Sequence, residues 1–367
     1  APWKVQPRTR GKYLEMYVRE VRRQLRRRTP EPVPCLDSWK APLLNGLQDR
    51  ALDQKHRRTV SFLAGIARFR RPFLRMHPQV IKAVHGKGDV TALILIKDRC
   101  DYRLENTLSS LRAQTYPRDL VKPVLVDYGS TRYFAAQYQK LCARYDAEYL
   151  RVDGALVWNP SHARNIAIKK ARTQYLLTSD MDIVYHETYL EKAVAALRKD
   201  PLQVIVSRLN ALPEGVVTAV VDTRKNFSGL LALSRPDYPI ACGVQLTLTA
   251  FYQIIRGFDE RYFIYGKEDK DVLKRFLMMG LDICDRSAEL LHLHQWHERY
   301  SDISGLVTPY FKANEKLYFN TFSIRRNKSG WGDFAAAEEK TKKKPLNIVI
   351  STVYFGGIGG SERRLKS

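Results

Sequence analysis

No stretch of 18 or more apolar residues occurs in the 367 residues, and no basic segment leads into an apolar core near the start. The first absence argues against a transmembrane helix and the second against a secretory signal. Cysteine is scarce and unpatterned. Cys35, Cys100, Cys142, Cys242 and Cys284 form no CxxC pair, which argues against a disulfide framework and a zinc cluster and points to a reducing, cytoplasmic setting. Acid is also in short supply, with 38 Asp+Glu against 62 Lys+Arg and a formal net charge of +24. The surplus is uneven: residues 1–88 hold 21 basic and 6 acidic side chains, leaving 41 and 32 for all the rest. Such a charge implies an anionic partner, whether membrane surface, nucleic acid or phosphorylated substrate. No nucleic-acid recognition motif accompanies it, so nucleic acid is set aside. An initial Met is missing too, and the chain stops inside a motif, so the expectation is a piece of a longer protein.

What is present begins with KYLEMYVREVRRQLRRR (12–28), where Leu14, Tyr17, Val18, Val21 and Leu25 fall at helical spacing opposite a face of arginines. A basic amphipathic helix of this kind can lie on an anionic membrane or pack on its own protein with a solvated basic face. TPEPVPC (29–35) interrupts it as a proline-rich linker, and VSFLAGIARFRRPFLRM (60–76) is a second surface-docking candidate. Residues 1–88 are therefore expected to form a basic, mainly helical N-terminal region.

From Val90 the pattern changes. Apolar runs at 91–98, 123–130, 147–153 and 174–182 alternate with segments of helical spacing at 104–114, 134–146 and 161–172, the last capped by Ser161. That alternation predicts an α/β fold with a mainly parallel sheet and helices on both faces. In such sheets ligands bind beyond the carboxyl ends of the strands. Asp98, Asp127, Asp180 and Asp182 all fall at those ends.

Asp180 and Asp182 close the run LLTSDMDIVY. On a strand, positions i and i+2 share a face, and two carboxylates so placed suit a hard divalent cation, Mn²⁺ or Mg²⁺, that also takes phosphate oxygens. Such a cation neutralises a nucleoside diphosphate leaving group. Turn capping or pairing with surface lysines is the competing reading. Downstream, GKEDKD sets Glu268 and Asp269 at a helix start, where a carboxylate is favoured by the local positive end. One facing an acceptor hydroxyl could take its proton, although acids at helix starts are common without any such role. HLHQWH adds His292, His294 and His297, since imidazole readily ligates Mn²⁺.

The succession TALILIKDRCDYRLENTLSSLRAQTYP, PVLVDYGST, HARNIAI and YLLTSDMDIVY resembles the nucleotide-sugar half of GT-A glycosyltransferases of the inverting family 2 type, a Rossmann-like fold. The resemblance implies that Asp127 meets uracil, that Arg164 lies near the nucleotide, and that Asp98 and Asp180 also line the donor site. It implies metal at Asp180 and Asp182. GVQLTLTAFYQIIRGFDERYFIYGKEDKDVLKRFLMMG (243–280) is similar to the acceptor-side segment of galactosyl- and N-acetylgalactosaminyltransferases. By that match Asp269 is the base, Glu268 orients the acceptor, and Asp271 lies nearby. Related enzymes supply a C-terminal His as third metal ligand, and the HQ dipeptide points to His294. Trp296 could stack on an acceptor ring, and Trp158 and Asn159 could lie near the donor.

The expected organisation is a GT-A domain at 89–305, a helical extension or linker at 306–343, and the truncated start of a second domain at 344–367. That last segment, with its Gly-rich LNIVISTVYFGGIGGSERRLKS, resembles the opening of a GT-B glycosyltransferase. Tandem transferases would suit assembly of a polysaccharide. The implied partners are a UDP-sugar, with galactose or N-acetylgalactosamine types leading, and a growing glycan, free or lipid-linked, with the protein in the cytoplasm or peripheral at the inner face of the cytoplasmic membrane. A nucleotidyltransferase is the rival enzyme, but IKDRCDYRLENT lacks the glycines its phosphate loop needs. A basic scaffold that keeps a degenerate transferase fold is the non-enzymatic alternative.

Overall fold

The computed structural model describes residues 69–153, 157–238, 243–297 and 304–333. The basic segment expected to be helical at 12–28 and the Gly-rich C-terminal segment lie outside the described residues. The strands are β1 Val90–Ile96, β2 Val121–Asp127, β3 Glu148–Arg151, β4 Tyr175–Ser179, β5 Ile183–Tyr185, β6 Gln203–Val206, β7 Leu209–Ala211, β8 Arg235–Tyr238, β9 Gln245–Leu248, β10 Asp282–Asp285 and β11 His292–His294. The helices are α1 Pro78–Val84, α2 Tyr102–Arg112, α3 Arg132–Arg144, α4 Pro160–Lys170, α5 Tyr189–Lys199, α6 Thr223–Leu233, α7 Thr249–Ile254, α8 Glu268–Met279 and α9 Ser304–Asn320.

A seven-stranded sheet runs β10-β6-β9-β4-β1-β2-β3, and a four-stranded sheet runs β5-β11-β7-β8. In the large sheet β4, β1, β2 and β3 are mutually parallel, as the alternating pattern predicts. β1 reads VTALILI with every residue buried, the continuous apolar run of a strand covered on both faces. Each such Leu or Ile contributes about 1.5–3 kcal/mol of burial free energy.

One strand departs from the expected pattern and decides the site. β9 runs antiparallel between β4 and β6. Its N-terminal end therefore arrives at the rim where β1, β2 and β4 finish. The register pairs Thr178 with Gln245, and the Thr178 hydroxyl donates to the Gly243 carbonyl at 2.7 Å. β4 itself stops at Ser179. Asp180 to Asp182 turn out of the sheet before β5 crosses to the second one, so the two aspartates are not on a strand and do not share a face.

The cap of α4 also differs from expectation. Asn159, not Ser161, accepts the amide of His162 at 2.9 Å, and Pro160 occupies the first helical position, where a missing N–H costs nothing. The segment after residue 303 packs onto the domain rather than leading away from it. Lys274 of α8 donates to the Tyr318 carbonyl, and Gly332 N–H donates to Glu260 at 2.7 Å. Among the described residues no helix is long and apolar enough to cross a membrane.

Candidate active site

Two adjoining clusters of charge form at the rim. The first centres on Arg164 of α4. Its side chain is 4% exposed and lies 3.4 Å from Asp269, 3.7 Å from Glu268 and 3.8 Å from Asp180. The guanidinium carbon stands 4.9 Å from the centre of the Phe258 ring. Burial would lower the Arg164 pKa, but Asp269, Glu268 and Asp180 outweigh it and raise it. One cation thus answers three carboxylates, at distances longer than hydrogen bonds, and the Arg164 Nη1 finds no hydrogen-bond partner. The cluster keeps surplus negative charge that a bound cation would answer.

Glu268 and Asp269 open α8, directly after Lys267 in the left-handed conformation. Gln245 of β9 fixes the pair from below, its side-chain amide donating to the Asp269 carbonyl at 3.3 Å. Burial, then the neighbouring Asp269, push the Glu268 carboxyl up to about 7 against the pull of Arg164. Burial raises Asp269 as well, again opposed by Arg164. Asp180 is raised first by the packed recess around it, although 53% of its side chain stays open to water. Gly243 leaves the room these acids need, since a Cβ there would fall 2.9 Å from Asp180 Oδ2 and 3.6 Å from Asp269 Oδ2.

A stability consequence follows for Glu268. The raised carboxyl costs little while protonated, and its cost grows as pH rises from the unfolded value near 4.5 to about 7. Glu268→Gln should therefore be more stable than the parent above pH 7 by about 3 kcal/mol, with the advantage shrinking toward pH 5. Denaturant melts of both forms across that range check it, and a pH-independent difference would refute it.

The second cluster is Asp182, His294 and His297, whose ligand atoms all lie within 4.8 Å of one another. His294 Nε2 is 3.6 Å from Asp182 Oδ1, and His297 Nε2 is 3.3 Å from Asp182 Oδ2. Secondary structure brings them together. β11 pairs antiparallel with β5, placing His294 opposite Ile183, and the Gln295 amide donates to the Asp182 carbonyl at 2.9 Å. The Gln295 side chain accepts from Asn106 at 2.8 Å and donates to the Arg103 carbonyl at 3.0 Å, which pins the histidine loop to α2. Burial would raise the Asp182 carboxyl, but His294, His297, Arg99 and Arg103 together hold it below the ordinary value.

Several expected assignments change. Asp180 lies 3.8 Å from Arg164 and also feels Asp182 and His294, while the trio whose ligand atoms converge is Asp182, His294 and His297. His292 is a core residue: it is 0% exposed, its Nδ1 lies 3.0 Å from the Ser207 hydroxyl, and burial drives its pKa down to about 3. Asp271 does not reach an acceptor. It is fully buried, 2.8 Å from Arg275 and 3.4 Å from Arg326, because its position on α8 turns it toward the interior. Asp271→Ala would strand the buried Arg275 and should cost about 3–5 kcal/mol of stability, measurable by denaturant unfolding; a loss under 1 kcal/mol would contradict the pairing.

Asp127 is 0% exposed. Its carboxylate accepts from Ser130 N–H at 2.9 Å, from the Tyr149 hydroxyl at 2.6 Å and from Arg151 at 2.6 Å, so it shapes the loop after β2 from beneath. Asp98, left-handed at φ 48°, accepts from Thr131 N–H at 2.7 Å and ties the ends of β1 and β2 together. Trp296 stands 40% exposed between the two histidines. Trp158 is half-buried, edge-on to Tyr128 at 5.8 Å. Asn159 is spent as a helix cap. Sequence reasoning passed over Arg99, Arg103, Gln295 and Gly243; the two arginines carried a signal, being four apart just after a strand end.

Residues 94–245 match the family model for glycosyl transferase family 2, and residues 221–299 match that for the N-terminal domain of galactosyltransferase. Residues 94–299 thus carry the glycosyltransferase. No curated protein matches the glycosyltransferase. Among solved structures it is similar to TarS of S. aureus, at 14% identity and a TM-score of 0.46 over 73% of this chain and 44% of that one. A TarS 1–349 structure in complex with UDP-GlcNAc aligns at 14% identity and TM-score 0.45, over 75% of this chain and 77% of that one. GalNAc-T7 with UDP, GalNAc and Mn²⁺ aligns at 15% identity and TM-score 0.45, over 70% and 54%. The glycosyltransferase thus spans less than half of the TarS chain first matched and about half of GalNAc-T7.

Proposed function

We propose that the glycosyltransferase moves a sugar of galactose or N-acetylgalactosamine type from a UDP-sugar to a hydroxyl of a growing glycan, with inversion and with a divalent metal. The observation that carries this reading is the juxtaposition of the Arg164 cluster with the Asp182, His294 and His297 trio. The trio fits a metal, for Asp182 Oδ1 is buried without a hydrogen-bond partner, and one carboxylate with two imidazoles suits Mn²⁺ better than Mg²⁺. A cation held there supplies charge neutralisation to the diphosphate. Asp180, half exposed on the other side of the turn, lines the donor side with Arg164.

Asp269 is the base. Its side chain is 22% exposed against 10% for Glu268, so it is the member of the pair that an acceptor meets first. Asp269 takes the proton of the acceptor hydroxyl as that oxygen bonds to the anomeric carbon. The bond from that carbon to the UDP oxygen breaks on the opposite face, and UDP leaves with the electron pair. Glu268 orients the acceptor, and Trp296 offers an aromatic face to its ring. The basic segments within residues 1–88 would dock the enzyme on an anionic membrane, bringing it to a lipid-linked acceptor, and a second transferase domain would follow residue 344.

UDP release from a panel of UDP-sugars, with Mn²⁺ or with chelator, tests the reading. Metal-dependent release from a galactose or N-acetylgalactosamine donor is expected; absence of release and of metal-dependent donor binding across the panel would overturn it. Flotation with anionic liposomes should weaken when residues 1–88 are deleted, and unchanged flotation would dispose of the docking role.

A further inference from the structure

Helix α9 begins beyond residue 299, where the matched family regions end, yet its side chains grip the turn that leads into Glu268 and Asp269. Asn314, 4% exposed, spends its amide on that turn, donating to the Phe263 carbonyl at 2.9 Å and to the Tyr265 carbonyl at 3.0 Å. Glu315 pairs with Lys267 at 3.0 Å, and the Lys267 side chain is 8% exposed. The Lys267 ammonium lies 5.2 Å from the centre of the Phe311 ring and 5.9 Å from that of Phe319. Phe311 stacks on Tyr265 at 6.2 Å and fills the space beside Gly266, where a Cβ would come within 2.7 Å of its ring.

The gripped turn is one the chain would not choose alone. Ile264 has φ 62°, Gly266 φ 99° and Lys267 φ 75°. A β-branched residue in the left-handed region is a true outlier, and such conformations persist only where the surroundings over-determine them. Lys267 at the cap position makes no side-chain capping bond of its own, so apart from the Ile264 N–H bond to the Trp158 carbonyl at 3.1 Å and the Gln245 bond to the Asp269 carbonyl, the described contacts on the entry to α8 come from α9. The φ of Lys267 sets the direction in which Glu268 and Asp269 leave the turn.

We infer that Phe311, Asn314 and Glu315 are positioning residues, which hold the 263–267 turn with Ile264, Gly266 and Lys267 left-handed and so aim Glu268 and Asp269 at Arg164. The catalytic module therefore extends through α9. The inference rests on the reading that Asp269 is the base. Misplacement of a reacting group by about 1 Å can cost on the order of a hundredfold in rate, so release of the turn reaches turnover without touching the donor site.

The test uses the full chain with the UDP-sugar it turns over. Asn314→Ala and Glu315→Gln should each lower kcat, by about tenfold to a hundredfold for the first. Mn²⁺-dependent UDP binding should stay within about twofold, and hydrogen exchange at residues 263–269 should rise. Adding Ile264→Asn to Asn314→Ala should recover much of the lost kcat, because Asn enters the left-handed region at lower cost than Ile. Unchanged turnover and exchange in Asn314→Ala, a kcat loss that only tracks the folded fraction, or no rescue by Ile264→Asn would each overturn the inference. If Asp269→Asn is inactive while Asn314→Ala is not, the inference fails alone; if Asp269→Asn keeps full activity, the assignment of the base fails with it.

Discussion

Asp269→Asn should lower kcat by about a thousandfold while UDP binding in Mn²⁺ stays close to that of the parent. The substitution preserves volume and removes only the capacity to take a proton, a capacity worth about 10²–10⁴ in rate. The donor site should hardly notice, because Arg164 keeps Glu268 at 3.7 Å and Asp180 at 3.8 Å as counter-charges. Calorimetric titration of UDP beside steady-state turnover separates the two effects. A loss of UDP affinity matching the loss of kcat would mean that Asp269 holds the donor instead. Glu268, pushed up to about 7, is the rival by pKa alone, since a base works best near the operating pH. Geometry ranks first, however, and Asp269 is the more open side chain. If Glu268→Gln proves the more damaging change, the two roles are exchanged.

Asp182→Asn should weaken Mn²⁺-dependent UDP binding on the order of a hundredfold or more, beyond the tenfold to hundredfold typical of residues that merely support a ligand. Asp182 is the one anionic member of a trio whose other members are neutral donors when they bind metal. Asn cannot restore the charge, and the buried Oδ1 has no other partner to lose. Asp180→Asn provides the contrast. Its carboxylate points to Arg164, so metal affinity measured by Mn²⁺ paramagnetic titration should change about tenfold or less. Equal losses in the two variants would mean that both aspartates share one cation, and a parent protein without measurable Mn²⁺ affinity would end the metal reading.

The apolar runs of β1, β2 and β4 announced the sheet because strands buried on both faces carry no polar alternation to obscure them. The acids at their ends announced a rim for the same reason, as the first polar residues after each run. What could not be read is how the rim divides. Asp180 and Asp182 look equivalent in SDMD, and they part company only because β9 inserts antiparallel beside β4 and the chain leaves the sheet at Ser179. Pairings of that kind lie dozens of residues apart and leave no periodic trace. Asp271 misled for a related reason: next to an acidic pair it reads as a third member, whereas Arg326, its distant partner, sits 55 residues away. His292 and His294 share a strand, and what separates the core residue from the ligand candidate is the packing of Tyr185 and Tyr189 on the His292 ring and its contact with Ser207.

Gly243 carries a consequence for mutational tolerance. Its backbone is not in the left-handed region and a Cβ would meet no backbone atom closer than the half-exposed Asp180 carboxylate. An alanine there asks little of the fold, since a short acid at the rim can swing toward water. The same swing carries Asp180 off Arg164. In a library scored twice, once for abundance and once for turnover, position 243 should pass the first screen and fail the second. Positions with that double score trace where a chain has reserved empty space for its substrate rather than for itself.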